Sequence, residues 1–302
     1  VGVWNFRGTR KDDPNDLVRH EHRRELRGLR TISSWLSDED RRAANTLSVY
    51  TEDRQTGNKY IKHYVIDMGS SLGSNNKVPH KPKYGNEYLV DLRSIAKSFA
   101  ALGFYVKPWE FDTRHLDPEF PSVGYYESEI FNPGAWFPTY PNPAFEKATL
   151  RDAFWGAKIV MSFSDDDIRA VVETAKMSDK NASEYYIKTL IERRDKIGRY
   201  LFARMNPLDK FRLAHSNGSV RLHFNDLAVD GKLEQAENTR YAAVIFHGDT
   251  RVAAIEQVAV PQVPLSKNDR NIFDEFLANR QLQKDTDFVF KITLTTRRGE
   301  AP

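Results

Sequence analysis

Three polar residues near the start of the chain have the types and the order that phosphate chemistry requires. Asp40 and Asn45 form an Asp-x-x-x-x-Asn pattern, and Asp67 opens an Asp-x-Gly pattern that ends at Gly69. Phosphoryl transfer needs a carboxylate to orient the attacking hydroxyl, metal ions that bridge the phosphates, and oxygen ligands for those metals. Asp40, Asn45 and Asp67 could supply these functions together.

A helix, a loop and a β-hairpin are predicted to position these residues. Apolar side chains recur at helical spacing over residues 17–36, which predicts a helix. Residues 46–68 contain two β-branched and aromatic segments around a polar turn, which predicts a β-hairpin. Because a hairpin places its two ends side by side, we expect Asn45 and Asp67 on either side of one metal position.

The acidic cluster around Asp40 offers a second candidate for the catalytic role. Asp38 is the alternative, and only the spacing to Asn45 favours Asp40. In the other interpretation of the cluster, Asp38 and Glu39 belong to a solvated loop. Each pattern alone is common, since Asp-x-Gly also occurs in ordinary turns. Their order along the chain is the informative feature.

This order resembles the catalytic half of the protein-kinase-like fold, over about residues 17–75. The same region is similar to a group of uncharacterised bacterial proteins related distantly to atypical kinases of the HipA and spore-coat CotH kind. The resemblance implies that Asp40 is the catalytic aspartate, that Asn45 is a metal ligand and that Asp67 is the main metal ligand. It also implies ATP and Mg²⁺ or Mn²⁺ as cofactors, and an activation segment at about residues 70–88.

The region departs from the kinase pattern at several points. No His-Arg dipeptide precedes Asp40, Met68 replaces the usual Phe, and the hairpin is longer than usual. Residues 1–15 are too few for a small lobe with a glycine-rich loop and an ATP-pairing lysine. The chain starts at Val1, so we expect a processed or truncated product. An upstream segment of the same precursor then carries the nucleotide-binding lobe, or nucleotide binding has been lost.

The preferred function is therefore an atypical kinase-like phosphotransferase with an unknown acceptor, either a protein or a small molecule. The alternative is a non-catalytic kinase-like binding or scaffold protein. A weaker alternative is a serine hydrolase with Ser71 as nucleophile, because residues 69–73 match the Gly-x-Ser-x-Gly nucleophile elbow. That elbow requires a helix directly after the serine, and residues 74–79 are a poor helix start.

Composition restricts the remaining possibilities. The chain has 302 residues and no cysteine, which excludes disulfides, thiolate metal sites and a cysteine nucleophile. Its 45 basic and 42 acidic residues are well mixed, so nothing demands a nucleic-acid partner. No apolar run is long enough to span a membrane, and we expect a soluble protein of unknown compartment, exported if the precursor carries a leader.

The predicted fold class is α+β with two domains. Residues 1–208 are predicted to form a mainly helical, kinase C-lobe-like domain that contains the hairpin. Residues 209–302 alternate in short strands and are predicted to form a small β-sandwich-like domain. Three further helices are expected between residues 150 and 205, two of them opened by capping boxes at Ser164 and Asn181.

Overall fold

A computed structural model of the chain describes residues 2–75, 78–111, 123–216, 219–267, 270–273 and 289–299. The fold is α+β, with helices and small antiparallel sheets. The chain divides into two compact units, Val1–Leu201 and Phe202–Pro302. No helix within these described ranges is both long and apolar enough to span a membrane.

The first unit combines a hairpin with helices. Its α-helices are α1 (Arg24–Leu36), α2 (Leu92–Ala100), α3 (Pro143–Glu146), α4 (Leu150–Val160), α5 (Asp165–Glu173) and α6 (Lys180–Phe202). Its strands are β1 (Thr46–Glu52), β2 (Lys59–Val65), β3 (Ser74–Asn75) and β4 (Val78–Pro79). Strands β1 and β2 pair antiparallel with Thr46 opposite Val65, which confirms the predicted hairpin. Short 3-10 helices cover His20–His22, Ala43–Asn45 and Pro108–Phe111.

The first helix begins at Arg24 instead of Leu17. The Asp16 carboxylate accepts a hydrogen bond from the Arg10 backbone N–H at 2.6 Å and contacts His20 Nε2 at 2.8 Å. These bonds hold the preceding residues in a compact turn, and the Leu17 side chain is exposed. The apolar periodicity therefore extends beyond the helix, because local polar contacts take the place of helical hydrogen bonds.

Helices α1 and α4 pack closely through glycine. A Cβ atom at Gly156 would lie 2.5 Å from the Gly28 carbonyl oxygen and 2.8 Å from Thr31 Cβ. A Cβ atom at Gly28 would lie 2.5 Å from Trp155 Cε3. The two backbones can approach this closely only because neither glycine carries a side chain.

The starts of the later helices differ in how they are capped. Ser164 and Asp167 form the predicted capping box at the start of α5. At the start of α6, the Asp179 carboxylate accepts hydrogen bonds from the backbone N–H groups of Asn181 at 2.8 Å and Ala182 at 3.4 Å. The predicted cap at Asn181 is therefore wrong, because Asp179 takes that role two residues earlier.

Arg193 of α6 is buried and holds the C-terminal end of α1. Its guanidinium donates hydrogen bonds to the carbonyl oxygens of Ser34, Trp35 and Glu127. It also lies 3.7 Å from the centroid of the Phe131 ring. A cation suits this position, because the last carbonyl groups of a helix carry partial negative charge. Arg193 therefore fixes the position of the C-terminal end of α1, from which the following loop begins.

Residues 107–142 are rich in proline and aromatic residues. This segment is largely irregular where it is described, and residues 112–122 lie outside the described ranges. Tyr126, Phe131 and Trp136 are buried. The Tyr126 hydroxyl donates a hydrogen bond to the Trp35 carbonyl oxygen at 2.8 Å. These aromatics therefore join the core, as aromatic residues beside prolines commonly do.

The second unit contains two three-stranded antiparallel sheets and one two-stranded sheet. Its elements are β5 (Leu208–Ser216), β6 (Ser219–Asp226), α7 (Leu227–Asp230), β7 (Thr239–His247), β8 (Thr250–Val258), β9 (Gln262–Pro264), β10 (Ser266–Lys267), β11 (Arg270–Asn271) and β12 (Phe290–Arg298). One three-stranded sheet has the order β5-β6-β9 and the other has the order β12-β7-β8, while β10 pairs with β11. Side chains from both three-stranded sheets form one hydrophobic cluster, with Phe224 and Ile245 among its buried members.

Candidate active site

The loop between α1 and β1 begins with a sharp reversal. Ser37 has φ 49° and ψ 41°, which is the left-handed conformation usual after the last turn of a helix. The Asp38 backbone N–H donates a hydrogen bond to the Ser33 carbonyl oxygen at 2.8 Å, which satisfies one of the free carbonyls of α1. The chain therefore turns back at once, and the acidic residues that follow lie against the body of the unit.

Asp38 and Glu39 are buried, each with 2% of its surface exposed, so the solvated-loop interpretation is wrong. Asp38 forms an ion pair with Arg41 at 2.7 Å. Glu39 lies 3.4 Å from His80 Nδ1 and accepts a hydrogen bond from the Thr139 hydroxyl at 3.4 Å. These partners explain how two acidic side chains can enter the interior of the unit.

Burial changes the acidity of both carboxyl groups. It raises the pKa of Asp38 to about 6, because loss of water outweighs the attraction of Arg41. Burial also raises the pKa of Glu39, although contacts with His80 and Thr139 oppose the change. Asp38 therefore acts as a structural partner of Arg41, and this leaves Asp40 as the more accessible carboxylate of the cluster.

Arg41 connects the acidic loop to both ends of the hairpin. Its side chain is fully buried, and one nitrogen donates to the carbonyl oxygens of Asn45 at 3.4 Å and Ile66 at 2.8 Å. The other terminal nitrogen donates to the Asp67 carbonyl oxygen. The main chains at Asn45 and Asp67 are thus held by one guanidinium, and the Ile66 N–H also bonds to the Asn45 carbonyl oxygen at 3.0 Å.

Asp40 and Asn45 contact each other directly. The Asn45 side-chain nitrogen donates hydrogen bonds to the Asp40 carbonyl oxygen at 2.7 Å and to Asp40 Oδ2 at 3.0 Å. The other carboxylate oxygen of Asp40 forms an ion pair with Arg42 Nε at 2.8 Å. The carboxylate is consequently fixed in orientation from two sides while its residue remains partly accessible.

Asp67 stands in an exposed turn directly beyond β2. Its φ is 55°, an uncommon left-handed conformation that aspartate tolerates better than most residues. Its Oδ1 accepts a hydrogen bond from the Gly69 backbone N–H at 3.3 Å. No ion pair involves this carboxylate in the described part of the chain, so it is open to an external ligand. The structure thus joins Asp40 to Asn45 by side chains, and Asn45 to Asp67 by main chain and Arg41.

The turn after Asp67 is held by a second glycine contact. Gly73 has φ 79°, and a Cβ atom on Gly124 would lie 1.4 Å from the Gly73 carbonyl oxygen. That oxygen also accepts a hydrogen bond from the His80 backbone N–H at 2.7 Å. Gly73 is therefore held in place by close packing against Gly124 and by the hydrogen bond from His80.

Ser71 lacks the surroundings of a hydrolase nucleophile. Its hydroxyl donates a hydrogen bond to the Met68 carbonyl oxygen at 2.6 Å. The chain then forms the paired strands β3 and β4, where a nucleophile elbow would require a helix. The geometry of this segment is that of a polar turn, and it gives no support to the hydrolase alternative.

The outer face of the hairpin presents exposed apolar side chains beside Asp67. Leu47 pairs with Tyr64 across the two strands, so their side chains share one face. Both are exposed, as are Val49 on β1 and the two residues that flank Asp67, Ile66 and Met68. An apolar surface next to a carboxylate and an amide is suited to a ligand with one flat apolar part and one anionic part.

The described residues contain no group of three or more His, Asp or Glu side chains arranged to hold a metal ion. A divalent ion at this site would depend on Asp67 and Asn45 together with water and phosphate oxygens. Mg²⁺ is often held in this way, by one or two carboxylates and the phosphates of a nucleotide. The Asp67 carboxylate and the Asn45 amide oxygen therefore suit a metal ion that binds together with a nucleotide better than a metal ion that the protein holds permanently.

Comparison with known proteins gives no relative. No protein-family model matches the chain, and neither a curated protein nor a solved structure matches it.

Sequence patterns did not identify the partners that hold the site together. Arg41 stands three residues after Asp38, a spacing that permits an ion pair, but nothing in that spacing predicts its bonds to Ile66 and Asp67. His80 and Thr139 contact Glu39 from distant parts of the chain. A cavity of about 900 Å³ in the same unit does not include Asp40, Asn45 or Asp67 in its lining.

Proposed function

We propose that this chain is an atypical, kinase-like phosphotransferase that uses ATP and Mg²⁺ or Mn²⁺. The observation that carries the proposal is the position of Arg41, whose guanidinium bonds to the main chains of Asn45 and Asp67. It attaches the Asp-x-x-x-x-Asn loop to the Asp-x-Gly turn. Phosphoryl transfer depends mainly on such positioning, because the protein contributes little covalent chemistry.

Each candidate residue has a role that its contacts support. Asp40 would accept the proton of the acceptor hydroxyl and orient it, with its carboxylate held by Asn45 and Arg42. The Asn45 nitrogen bonds to Asp40, which leaves its Oδ1 atom as the oxygen ligand for a metal. Asp67 would provide the exposed carboxylate that binds the metal between itself and the phosphates.

The exposed face of the hairpin would receive the base of the nucleotide. Leu47, Val49 and Tyr64 form an apolar surface on which a flat purine ring could lie, next to Lys62, whose Nζ atom is 5.2 Å from the centroid of the Tyr64 ring. The phosphates would then extend toward Asp67. In this arrangement the nucleotide would bind to the hairpin without a glycine-rich loop, for which residues 1–15 are too few.

The scaffold alternative rests on a different observation. Metal binding would require donors in addition to Asp67 and Asn45, such as water and phosphate oxygens, since the described residues contain no cluster of three acidic or histidine side chains. A protein that keeps the kinase-like arrangement for binding alone would have the same buried Arg41 connection. It would bind a partner or a nucleotide without transferring phosphate.

A thermal-shift titration of the full-length protein with ATP and Mn²⁺ tests the proposal. Binding that is specific to the folded state raises stability by about 2.7 kcal/mol when the ligand is at 100 times its Kd. We expect a clear rise in Tm for the wild type and none for Asp67→Ala. Asp166→Ala removes an exposed aspartate from α5 and should keep the full shift.

A second measurement separates the enzyme from the scaffold. Release of the γ-phosphate from ATP is followed in the presence of Mn²⁺ for the wild type and for Asp40→Asn. The proposal predicts that Asp40→Asn keeps the thermal shift and loses phosphate release. A thermal shift without any phosphate release in the wild type would favour the scaffold, and no shift at all would count against nucleotide binding.

A further inference from the structure

Helix α2 and its flanks expose a group of large apolar side chains. We call this group the α2 surface: Val90, Leu92, Ile95, Phe99, Leu102 and Phe104, which are 55% to 87% exposed. Within the described residues, no side chain of α2 itself is buried. Large contiguous apolar patches of this kind are rare on monomeric proteins and mark interaction sites.

The sequence encodes α2 as a complete helix. The Asp91 carboxylate caps its start by accepting hydrogen bonds from the backbone N–H groups of Arg93 at 2.9 Å and Ser94 at 3.2 Å. Gly103, with φ 85°, ends it by donating a hydrogen bond to the Ser98 carbonyl oxygen at 2.8 Å. A helix of nine residues is marginal in water without packing, so a defined helix with an uncovered apolar face indicates a partner.

The charges around the α2 surface indicate the chemistry of that partner. Residues 81–110 contain five Lys or Arg and three Asp or Glu. Each acidic residue has a partner: Asp91 caps α2, Glu87 forms an ion pair with Lys107 at 2.8 Å, and Glu110 accepts a hydrogen bond from the Lys107 backbone N–H at 2.8 Å. Arg93 and Lys97 lie on the polar side of the helix, where they leave a positive charge beside the apolar stripe.

Two aromatic residues that follow α2 in the chain, Tyr105 and Trp109, make cation–π contacts with lysines. Lys97 Nζ is 5.5 Å from the centroid of the Tyr105 ring, and Lys107 Nζ is 5.3 Å from the centroid of the Trp109 ring. Tyrosine, tryptophan and lysine are the side chains that favour the boundary between lipid headgroups and acyl chains. The region thus combines an apolar stripe, a cationic side and amphipathic aromatic residues, as interfacial helices do.

We propose that the α2 surface binds an anionic lipid membrane. Helix α2 would lie parallel to the membrane plane, with Leu92, Phe99 and Leu102 among the acyl chains. Arg93 and Lys97 would extend their charged ends to the lipid phosphates. A second copy of the chain fits this surface less well, because two α2 surfaces face to face would bring two sets of uncompensated cations together.

Vesicle flotation tests the proposal with the full chain. The probes are vesicles of phosphatidylcholine alone and vesicles that also contain phosphatidylglycerol, each at low and at high salt. We expect binding to the anionic vesicles that weakens at high salt, and about tenfold or greater loss of binding for the double variant Phe99→Ser, Leu102→Ser. The matched control is Val171→Ser, which removes an exposed apolar residue from the acidic helix α5 and should bind as the wild type does.

Circular dichroism and thermal melting confirm that the variants are folded, and sedimentation velocity measures association in the absence of lipid. Absence of flotation, or equal flotation of the wild type and the double variant, would overturn the proposal. Dimerisation of the wild type that the double variant abolishes, without vesicle binding, would assign the α2 surface to a second copy instead. These results are independent of nucleotide binding at Asp67.

Discussion

Arg41 has no access to solvent, yet it bonds to three main-chain oxygens and one carboxylate. Guanidinium suits this task because its five N–H donors project in a fixed plane, which a lysine cannot reproduce. Its charge is balanced by Asp38, which is also buried. The acidic loop is therefore stabilised by the buried ion pair between Arg41 and Asp38.

Asp38 should make the stability of the protein depend on pH. Burial raises its pKa from 3.8 to about 6, so between these values the folded protein holds a proton that the unfolded chain has released. The free energy of unfolding should therefore fall as the pH rises from 3.8 to about 6. Asp38→Asn replaces this carboxyl group by an amide that does not ionise. Urea denaturation of the variant across the same pH range should therefore show a smaller decrease in the free energy of unfolding.

The control for this measurement is Asp166→Asn, at an exposed position of α5. Its pH profile should follow that of the wild type. An unchanged slope in Asp38→Asn would show that the ionisation of Asp38 is not coupled to folding.

At the level of single residues, sequence patterns selected candidate site residues but did not predict the residues that surround them. Asp40 and Asn45 could be selected because their spacing and order suit one kind of chemistry. The burial of Asp38 and Glu39 could not be predicted, since it depends on partners such as His80 that lie far away in the chain. A charged residue is expected in water unless its partner is known.

Among the elements, the contact between α1 and α4 limits what the helices tolerate. An alanine at Gly156 would place its Cβ atom 2.5 Å from the Gly28 carbonyl oxygen, which belongs to rigid backbone. We expect Gly156→Ala to lower the free energy of unfolding by about 1–3 kcal/mol. In an open helix the same change would raise it by about 1 kcal/mol.

Urea denaturation at constant pH measures this effect. Arg151→Ala, an exposed change in α4, is the control and should alter the free energy of unfolding by less than about 0.5 kcal/mol. Stabilisation by Gly156→Ala would mean that the two helices can separate without cost.

Sequence patterns predicted the hairpin correctly but placed the start of α1 too early. Alternation and turn residues were enough to predict the hairpin, because both of its strands and its turn are local in sequence. The start of α1 was predicted too early, because Asp16 accepts a hydrogen bond from Arg10 and binds His20 in a turn that apolar spacing does not reveal. Helix ends depend on such single contacts, whereas helix interiors depend on a repeated pattern.

Across the whole molecule, the two units differ in how their interiors are built. The interior of Val1–Leu201 contains buried charges such as Arg41 and Arg193, whereas the core of Phe202–Pro302 is mainly hydrocarbon. Asp226 is a buried charge among the described residues of the second unit. It accepts hydrogen bonds from Arg298 at 2.8 and 2.9 Å and from the Tyr241 hydroxyl at 3.0 Å.

Asp226→Ala should therefore destabilise the second unit selectively. The change leaves Arg298 without its carboxylate and the Tyr241 hydroxyl without its acceptor, at a cost of about 3 kcal/mol. Hydrogen exchange measured by mass spectrometry should show loss of protection in the strands of the second unit, with α1 and α4 unchanged. Asp230→Ala, at an exposed position near Asp226, is the control. Equal loss of protection in both units would mean that the chain unfolds as one.

The way in which Arg41 holds the hairpin has a practical consequence. At Asn45, Ile66 and Asp67 it bonds to peptide oxygens, which every amino acid carries. Substitution of the side chains at these three positions should therefore leave the bonds from Arg41 to the main chain intact. Under the proposed function, Asp40→Asn would be inactive but keep its shape, and it could then retain an unmodified acceptor long enough for its isolation.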